Sequence, residues 1–471
     1  MSWEMVIGLE THVELATKTK IFCSCSTEFG GEPNTHCCPV CTGQPGSLPV
    51  MNERVVEYAV TAGLATNCQV NRVSKMDRKH YVYPDLPKAY QISQYDVPIC
   101  EHGYIELDSG KKVRITRIHM EEDAGKLVHL GEEILIDYNR GGVPLIEIVT
   151  EPDIRSGEEA VEYLEKLQGI MRTAGVSDCR MQEGSLRCDV NLSLRRAGTE
   201  ELGTRTEVKN LNSFTAVLTA INYEAQRQRD ILEKGGHVVQ ETLHFDSDTG
   251  TTVNMRGKEN ADDYRYFPEP DIINIVLRQD ALERLKARLP EMPAQKCRRY
   301  VGELGVAEAD AKLLSKYKAV SDYFERAAAM TESPRTAAAF MVTQMFSRIT
   351  TEAERESWDP PVTSEMLGEL LKLLDGGKVS RNVAKRVFDE MLDTGKPCTA
   401  FLSKEDLEGL DEAALTSMCR DAIAQNEKSV SDYKAGKEKA IKAILGSVMR
   451  ASRGRANAIE AERILKELLN G

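Results

Sequence analysis

The stretch VIGLETHVEL, residues 6–15, alternates apolar and polar side chains. In an extended chain successive side chains point to opposite faces, so Leu9, Val13 and Leu15 share one side while Glu10, His12 and Glu14 share the other. CDVNLSLRR, residues 188–196, repeats the pattern, with Asp189, Asn191 and Ser193 set against Val190, Leu192 and Leu194. Between them ITRIHMEEDAGK, residues 115–126, ends a strand in Glu121, Glu122 and Asp123 and turns at Gly125. Short alternating runs separated by Gly, Pro and Asn continue to about residue 290. The fold class is therefore α+β, mainly antiparallel sheet in the first part.

Two helices interrupt the strands. In SGEEAVEYLEKLQGIMRTAG Ser156 can cap the first turn, and Glu159 three residues on completes a capping box. In NSFTAVLTAINYEAQRQRDILEKGG a stripe of Phe214, Val217, Leu218 and Ile221 ends at Gly235. At ARLPEMPAQKC two prolines three apart mark a boundary, and everything beyond is helical. The expected division is a sheet-rich domain over 1–292, a helical domain over 293–400 and an α-helical tail over 401–471.

The polar strand faces are where chemistry is expected. Acids from three strand ends, one with a histidine, can converge on a hard divalent cation that completes its shell with water and phosphate oxygens. Magnesium suits the carboxylates, and His12 suits manganese or a phosphate oxygen. The same pattern also describes a half-buried sheet with one wet face. DRKHYVYPDLPKAYQISQ, residues 77–94, places Arg78, Lys79 and Lys88 among Tyr81, Tyr83 and Tyr90, a loop able to stack a base and pair a phosphate. Arg140, before two glycines in DYNRGGVPLIEIVTEPD, can clamp an anion. Neither a G-x-x-x-x-G-K-[ST] nor a G-x-G-x-x-G motif occurs, so a nucleotide is not cradled by either of those loops.

FCSCSTEFGGEPNTHCCPVCTGQPG, residues 22–46, holds five of the twelve cysteines. Cys23, Cys25, Cys38 and Cys41 form C-x-C and C-x-x-C pairs suited to tetrahedral zinc, with Cys37 leaving the third ligand open. The glycine- and proline-rich setting disfavours a thioredoxin-type redox pair. Four sulfur ligands leave no open position, which makes such a zinc structural.

With 41% hydrophobic and 29% charged residues among 471, the chain has an ordinary globular composition. No apolar run approaches the roughly 20 residues needed to span a bilayer, and no secretory signal opens it. A cytoplasmic protein without membrane contact is expected. The net charge of −13 opposes wholesale nucleic-acid coating. Residues 428–455 are the exception, with eight Lys/Arg against two Asp/Glu, which leaves room for phosphate contacts or a solvated helical face.

Taken together, CPVCTGQPGSLPVMN, YPDLPKAYQISQYD, RIHMEEDAGK, DYNRGGVPLIEIVTEPD, RCDVNLSLR, TEVKNLNSF and ADDYRYFPEPD resemble the GatB/GatE family, the B subunits of glutamyl-/aspartyl-tRNA amidotransferases, and GSVMRASRGRAN resembles its YqeY-like C-terminal module. The likeness runs essentially end to end; Val82, Ala89 and Cys37 are small departures. It implies a cradle-shaped catalytic domain followed by the helical domain and tail. It also implies a ligase activity: ATP phosphorylates the side-chain carboxylate of Glu-tRNA(Gln) or Asp-tRNA(Asn), and ammonia then displaces phosphate. On this resemblance Glu10, His12, Glu121, Glu122 and Asp189 form the metal and phosphate site. Lys79, Lys88, Arg140 and Asn191 bind ATP or the aminoacyl end, and Lys437, Lys439, Arg450, Arg453 and Arg455 contact tRNA. The Ser–Ser–Lys signature of amidases is missing, so the ammonia must come from a glutaminase subunit, GatA, with a small subunit, GatC, completing a heterotrimer. The rival reading is a non-catalytic zinc-containing tRNA-binding adaptor.

Overall fold

The structure is a computed structural model and describes residues 2–131, 133–254, 264–408, 412–435, 437–452, 456 and 458–470. The chain forms two compact units, Met1–Met292 and Pro293–Gly471.

The first unit is built on a nine-stranded sheet. From one edge its strands are Thr251–Asn254, Thr242–Asp246, Thr206–Leu211, Leu186–Arg196, Trp3–Glu14, Pro144–Thr150, Lys112–Glu122, Cys100–Glu106 and Gln69–Val70. Neighbours are antiparallel except Thr206–Leu211 and Thr242–Asp246, which run parallel. That exception follows from the helix Phe214–Glu233 between them, because a parallel pair needs a crossover. The first strand takes a central place, with the two longest partners close by.

Alternation divides the sheet as the sequence predicts. Leu9, Val13, Ile118, Met120, Val190 and Leu192 are buried in one core with the inner faces of the helices Glu53–Ala65, Gly157–Thr173 and Phe214–Glu233. Ser156 caps its helix through the Glu159 N–H, as expected. The Glu159 carboxylate does not close a capping box; it accepts from the Arg155 N–H and from Lys111 Nζ instead. Ser213 caps the next helix through the Ala216 N–H, and Gly235, at φ 78°, follows its end.

The second unit is helical, with no strand among its described residues. Its apolar side chains gather in two cores, one from Tyr300 to Cys398 and one from Leu415 to Leu469. Pro293 opens the first of its helices, where a missing N–H costs nothing. Among the described residues no helix is long and apolar enough to cross a membrane.

Because Leu9 is fully buried at the centre of the sheet, Leu9→Ala is expected to destabilise the first unit by about 2–5 kcal/mol. Urea unfolding of the whole chain, followed by circular dichroism, reads this as a lower midpoint for the sheet-bearing transition; an unchanged midpoint would contradict the packing described.

Candidate active site

The face of the sheet opposite the helices carries the acids. Strand register brings them together: Glu10 lies across from Asp189, Asn191 from Glu207, His12 from Glu147, and Glu147 from His119. Two groups result, His12–Glu121–Glu147 and Glu10–Asp189–Glu207, and within each the candidate ligand atoms lie within 4.8 Å of one another. Glu10 and His12 are two residues apart on one strand, so the groups are neighbours on one face.

In the first group His12 Nε2 lies 3.3 Å from Glu121 Oε1 and 3.5 Å from Glu147 Oε2. His119, buried behind them, reaches Glu147 Oε2 at 3.2 Å and Glu121 Oε2 at 3.7 Å. Burial disfavours the charged His12 ring, but the hydrogen bonds to Glu121 and Glu147 win and push its pKa to about 10. Burial likewise opposes ionisation of Glu121, yet His119 and His12 hold its pKa down to about 2. Glu147 is also held well below the carboxylate range: burial opposes this, and the charge and hydrogen bond of His119 outweigh it. These two carboxylates are anions that demand a cation.

In the second group Asn191 Nδ2 donates to Glu10 Oε1 at 2.8 Å, and Lys209 Nζ bridges Asp189 Oδ2 at 2.5 Å and Glu207 Oε1 at 3.1 Å. Burial and then the Glu147 charge raise the Glu10 pKa. The buried Asn191 Oδ1 has no hydrogen-bond partner. Carboxylate oxygens, one imidazole and an orphaned amide oxygen are a donor set that fits Mg²⁺ or Mn²⁺.

Glu122 departs from the expected set. It follows Glu121 on a pleated strand, so its side chain leaves by the other face. There it pairs with Lys88 (2.6 Å from Nζ to Oε2) and accepts from the Ile92 N–H at 2.9 Å. Both line a cavity of about 210 Å³ with Lys20, Phe22, Cys23 and Cys41. Lys88 is thus brought to Glu122, away from the two acid groups. Arg140 is committed to the turn it follows, donating to the Ala124 and Gly125 carbonyls at 3.0 Å each, with Asp123 Oδ2 at 3.4 Å. Lys79 lies 4.9 Å from the Tyr264 ring centroid, with no carboxylate within ion-pair distance among the described residues.

Glu147, Glu207, His119 and Lys209 are additions to the residues singled out in the sequence. Their signal is alternation in PLIEIV, TEVKNL and RIHME, where each interrupts apolar positions.

The sulfur atoms of Cys23, Cys25, Cys38 and Cys41 lie within 4.8 Å of one another. Cys37 turns instead toward Asn139 Oδ1, at 3.9 Å. Cys41 is the most acidic thiol: a hydrogen bond from Cys23 overrides burial and, with the Cys38 N–H and the buried Lys20 ammonium 3.6 Å away, brings its pKa to about 4. Four convergent sulfurs with a ready thiolate fit tetrahedral zinc. In the second unit Lys437, Lys439 and Arg450 are exposed, with Lys437 2.9 Å from Asp432. Arg453 and Arg455 lie outside the described residues.

Two measurements follow. Cys41→Ser is expected to lose the zinc that the wild-type chain retains at about one per molecule, and to melt at lower temperature, since structural zinc contributes folding energy. Metal analysis finding no zinc in the wild type would contradict this. Burial and the neighbouring Asp123 charge raise the Glu14 pKa from 4.5 to about 7. A raised folded-state pKa contributes stability below pH 4.5 that is lost as pH rises through 7. Glu14→Gln should therefore flatten the decline in melting temperature over that window; an unchanged slope would show that Glu14 does not titrate there.

Comparison with known proteins bears on the whole chain. The family model described as GatB/GatE catalytic domain matches residues 5–283, and one described as GatB domain matches residues 322–469. The B subunit of the aspartyl/glutamyl-tRNA(Asn/Gln) amidotransferase of Thermoanaerobacter pseudethanolicus is 52% identical over 475 residues, covering 100% of both chains. The protein of the same name from Caldicellulosiruptor saccharolyticus is 52% identical over 477 residues, covering 100% of this chain and 99% of its own. The second of two such B subunits numbered in Clostridium acetobutylicum is 48% identical over 478 residues and the full length of both. With its acidic sheet face and both family segments present, the chain belongs to the GatB/GatE family.

Proposed function

We propose that this chain is the B subunit of a tRNA-dependent amidotransferase, a ligase that converts Glu-tRNA(Gln), Asp-tRNA(Asn) or both to the amides. The observation that carries the reading is the pair of adjoining acid groups on one sheet face, with Glu121 and Glu147 held anionic despite burial. A carboxylate does not react usefully with ammonia, because oxide would have to leave. Phosphorylation by ATP supplies a leaving group, and phosphoryl transfer depends on positioning and charge screening.

His12, Glu121 and Glu147 would hold one divalent ion, and Glu10, Asp189 and Glu207 a second. Such ions, when bound, screen the phosphate charge that otherwise repels an incoming carboxylate. The chain's own residues do the rest. His119 fixes the rotamers of Glu121 and Glu147 from behind. Lys209 offsets the charge of Asp189 and Glu207, and Asn191 orients Glu10. Lys79 offers a cation facing the same groups, and Lys88 acts from the Glu122 cavity on the other side. Cys23, Cys25, Cys38 and Cys41 would hold zinc for folding and take no part in the reaction. Ammonia would come from a glutaminase subunit, with a small third subunit completing the complex. The sheet-rich catalytic domain ends at 292, and the 293–400 helical domain and the 401–471 tail complete the chain; Lys437, Lys439 and Arg450 would contact tRNA phosphates in the tail.

The test is ATP turnover by the chain with its partner subunits, aminoacyl-tRNA and ammonium. Glu121→Gln and Asp189→Asn should each lower turnover by about 100-fold or more with tRNA affinity unchanged. Retained turnover in both would favour the rival, a zinc-containing adaptor that binds tRNA without chemistry.

A further inference from the structure

Arg117 has a position that the acid groups do not explain. It occupies the same face of the Lys112–Glu122 strand as His119 and Glu121, two and four residues on, while Ile118 and Met120 enter the core. It is half-buried, and its Nε is shielded from water with no hydrogen-bond partner. Among the described residues no carboxylate reaches it; its cross-strand neighbours are Val149 and Glu101, and Glu101 is taken by Asn71 at 2.8 Å. A guanidinium offers five donors in a rigid fork, so one held clear of carboxylates beside a cluster of ligands is placed to take an anion.

A second cation faces the same space. Lys79, on the Asp77–His80 strand, also lacks an ion-pair partner among the described residues. The Tyr266 phenol joins the two: it lies within electrostatic reach of Lys79, Arg117, Glu121 and Glu147 together. Its ring is stacked on Tyr95 at 4.3 Å, which fixes the direction of the hydroxyl. Two unpaired cations and a hydroxyl thus stand beside the His12–Glu121–Glu147 group, on the flank away from Lys209.

We propose that Arg117, with Lys79 and the Tyr266 hydroxyl, forms a phosphate-binding subsite on the flank of the first acid group. Phosphate fits because its oxygens match the planar fork and its charge is opposed by two cations. This deepens the function proposed above and rests on it for the origin of the phosphate, which is either the terminal group of the nucleotide or the free phosphate released on amidation.

Calorimetric titration of the full chain with inorganic phosphate in the presence of Mg²⁺ tests the subsite without tRNA, ammonia or turnover. The wild type should bind one phosphate. Arg117→Ala and Lys79→Ala should each weaken binding about tenfold or more, and Arg117→Lys should recover part of it. Unchanged zinc content and melting temperature would show that the fold is intact, and Lys79→Ala on a separate strand serves if Arg117→Ala does not fold. Competition by a non-hydrolysable ATP analogue but not ADP would identify the terminal phosphate; simultaneous binding with the analogue would identify the released one. No phosphate binding by the wild type, equal binding by both alanine variants, or equal binding of acetate would overturn the proposal. A chain that binds phosphate through Arg117 yet shows no aminoacyl-tRNA-dependent ATP turnover would retain the subsite and reject the reaction.

Discussion

The organising constraint is the pleat of a strand that must be dry on one side and charged on the other. Along Trp3–Glu14 the odd positions Leu9 and Val13 enter the core, and Glu10 and His12 are forced onto the opposite face. The neighbouring strands obey the same rule, so acids from five strands meet there. Burying a carboxylate without a partner costs several kcal/mol. The face meets that cost locally, with His12 and His119 against Glu121 and Glu147, and Lys209 against Asp189 and Glu207. His12 Nε2 carries either a proton or a metal. The arrangement is therefore stable as a charge-balanced sheet and ready to exchange a proton for a divalent ion.

The same constraint explains which parts of the site were legible. Glu10, His12 and Asp189 could be read from one strand at a time, because alternation is a property of a single segment. Glu147 and Glu207 sit in strands as regular as the others. Their role depends on register with partners more than 100 residues away in one case, which no local pattern encodes. The doublet Glu121–Glu122 defeats local reading differently. Two adjacent acids cannot face the same way, and only the packing of Met120 inward decides that Glu121 joins the histidines. Arg140 was legible as an anion clamp by composition, yet its fork is consumed by the carbonyls of the turn beside it.

The antiparallel sheet and the helix starts were open to the same local logic, because Ser156 and Ser213 cap within three residues. The missed capping box shows where that logic ends. Glu159 had two backbone N–H groups within reach, and Lys111 from a strand drew its carboxylate toward Arg155. Among the adjacent cysteines, Cys37 and Cys38 differ only in which way the chain turns. Asn139, far off in sequence, draws Cys37 aside and leaves Cys38 with the other three sulfurs.

An acidic face poses a problem for any RNA substrate, because clustered carboxylates repel the phosphates that approach it. The net charge of −13 makes this a property of the chain as a whole. Screening at physiological salt limits each charge to about 8 Å, so a local excess of the opposite sign can act independently of the total. The exposed Lys437, Lys439 and Arg450 supply that sign in the second unit, on helices whose core is separate from the one around Tyr300. Chemistry that needs concentrated acid and recognition that needs base place opposite demands on one surface. Putting them in different units lets each keep its own sign, and on the acidic face unpaired cations such as Arg117 and Lys79 are then free to meet a single phosphate instead of a whole backbone.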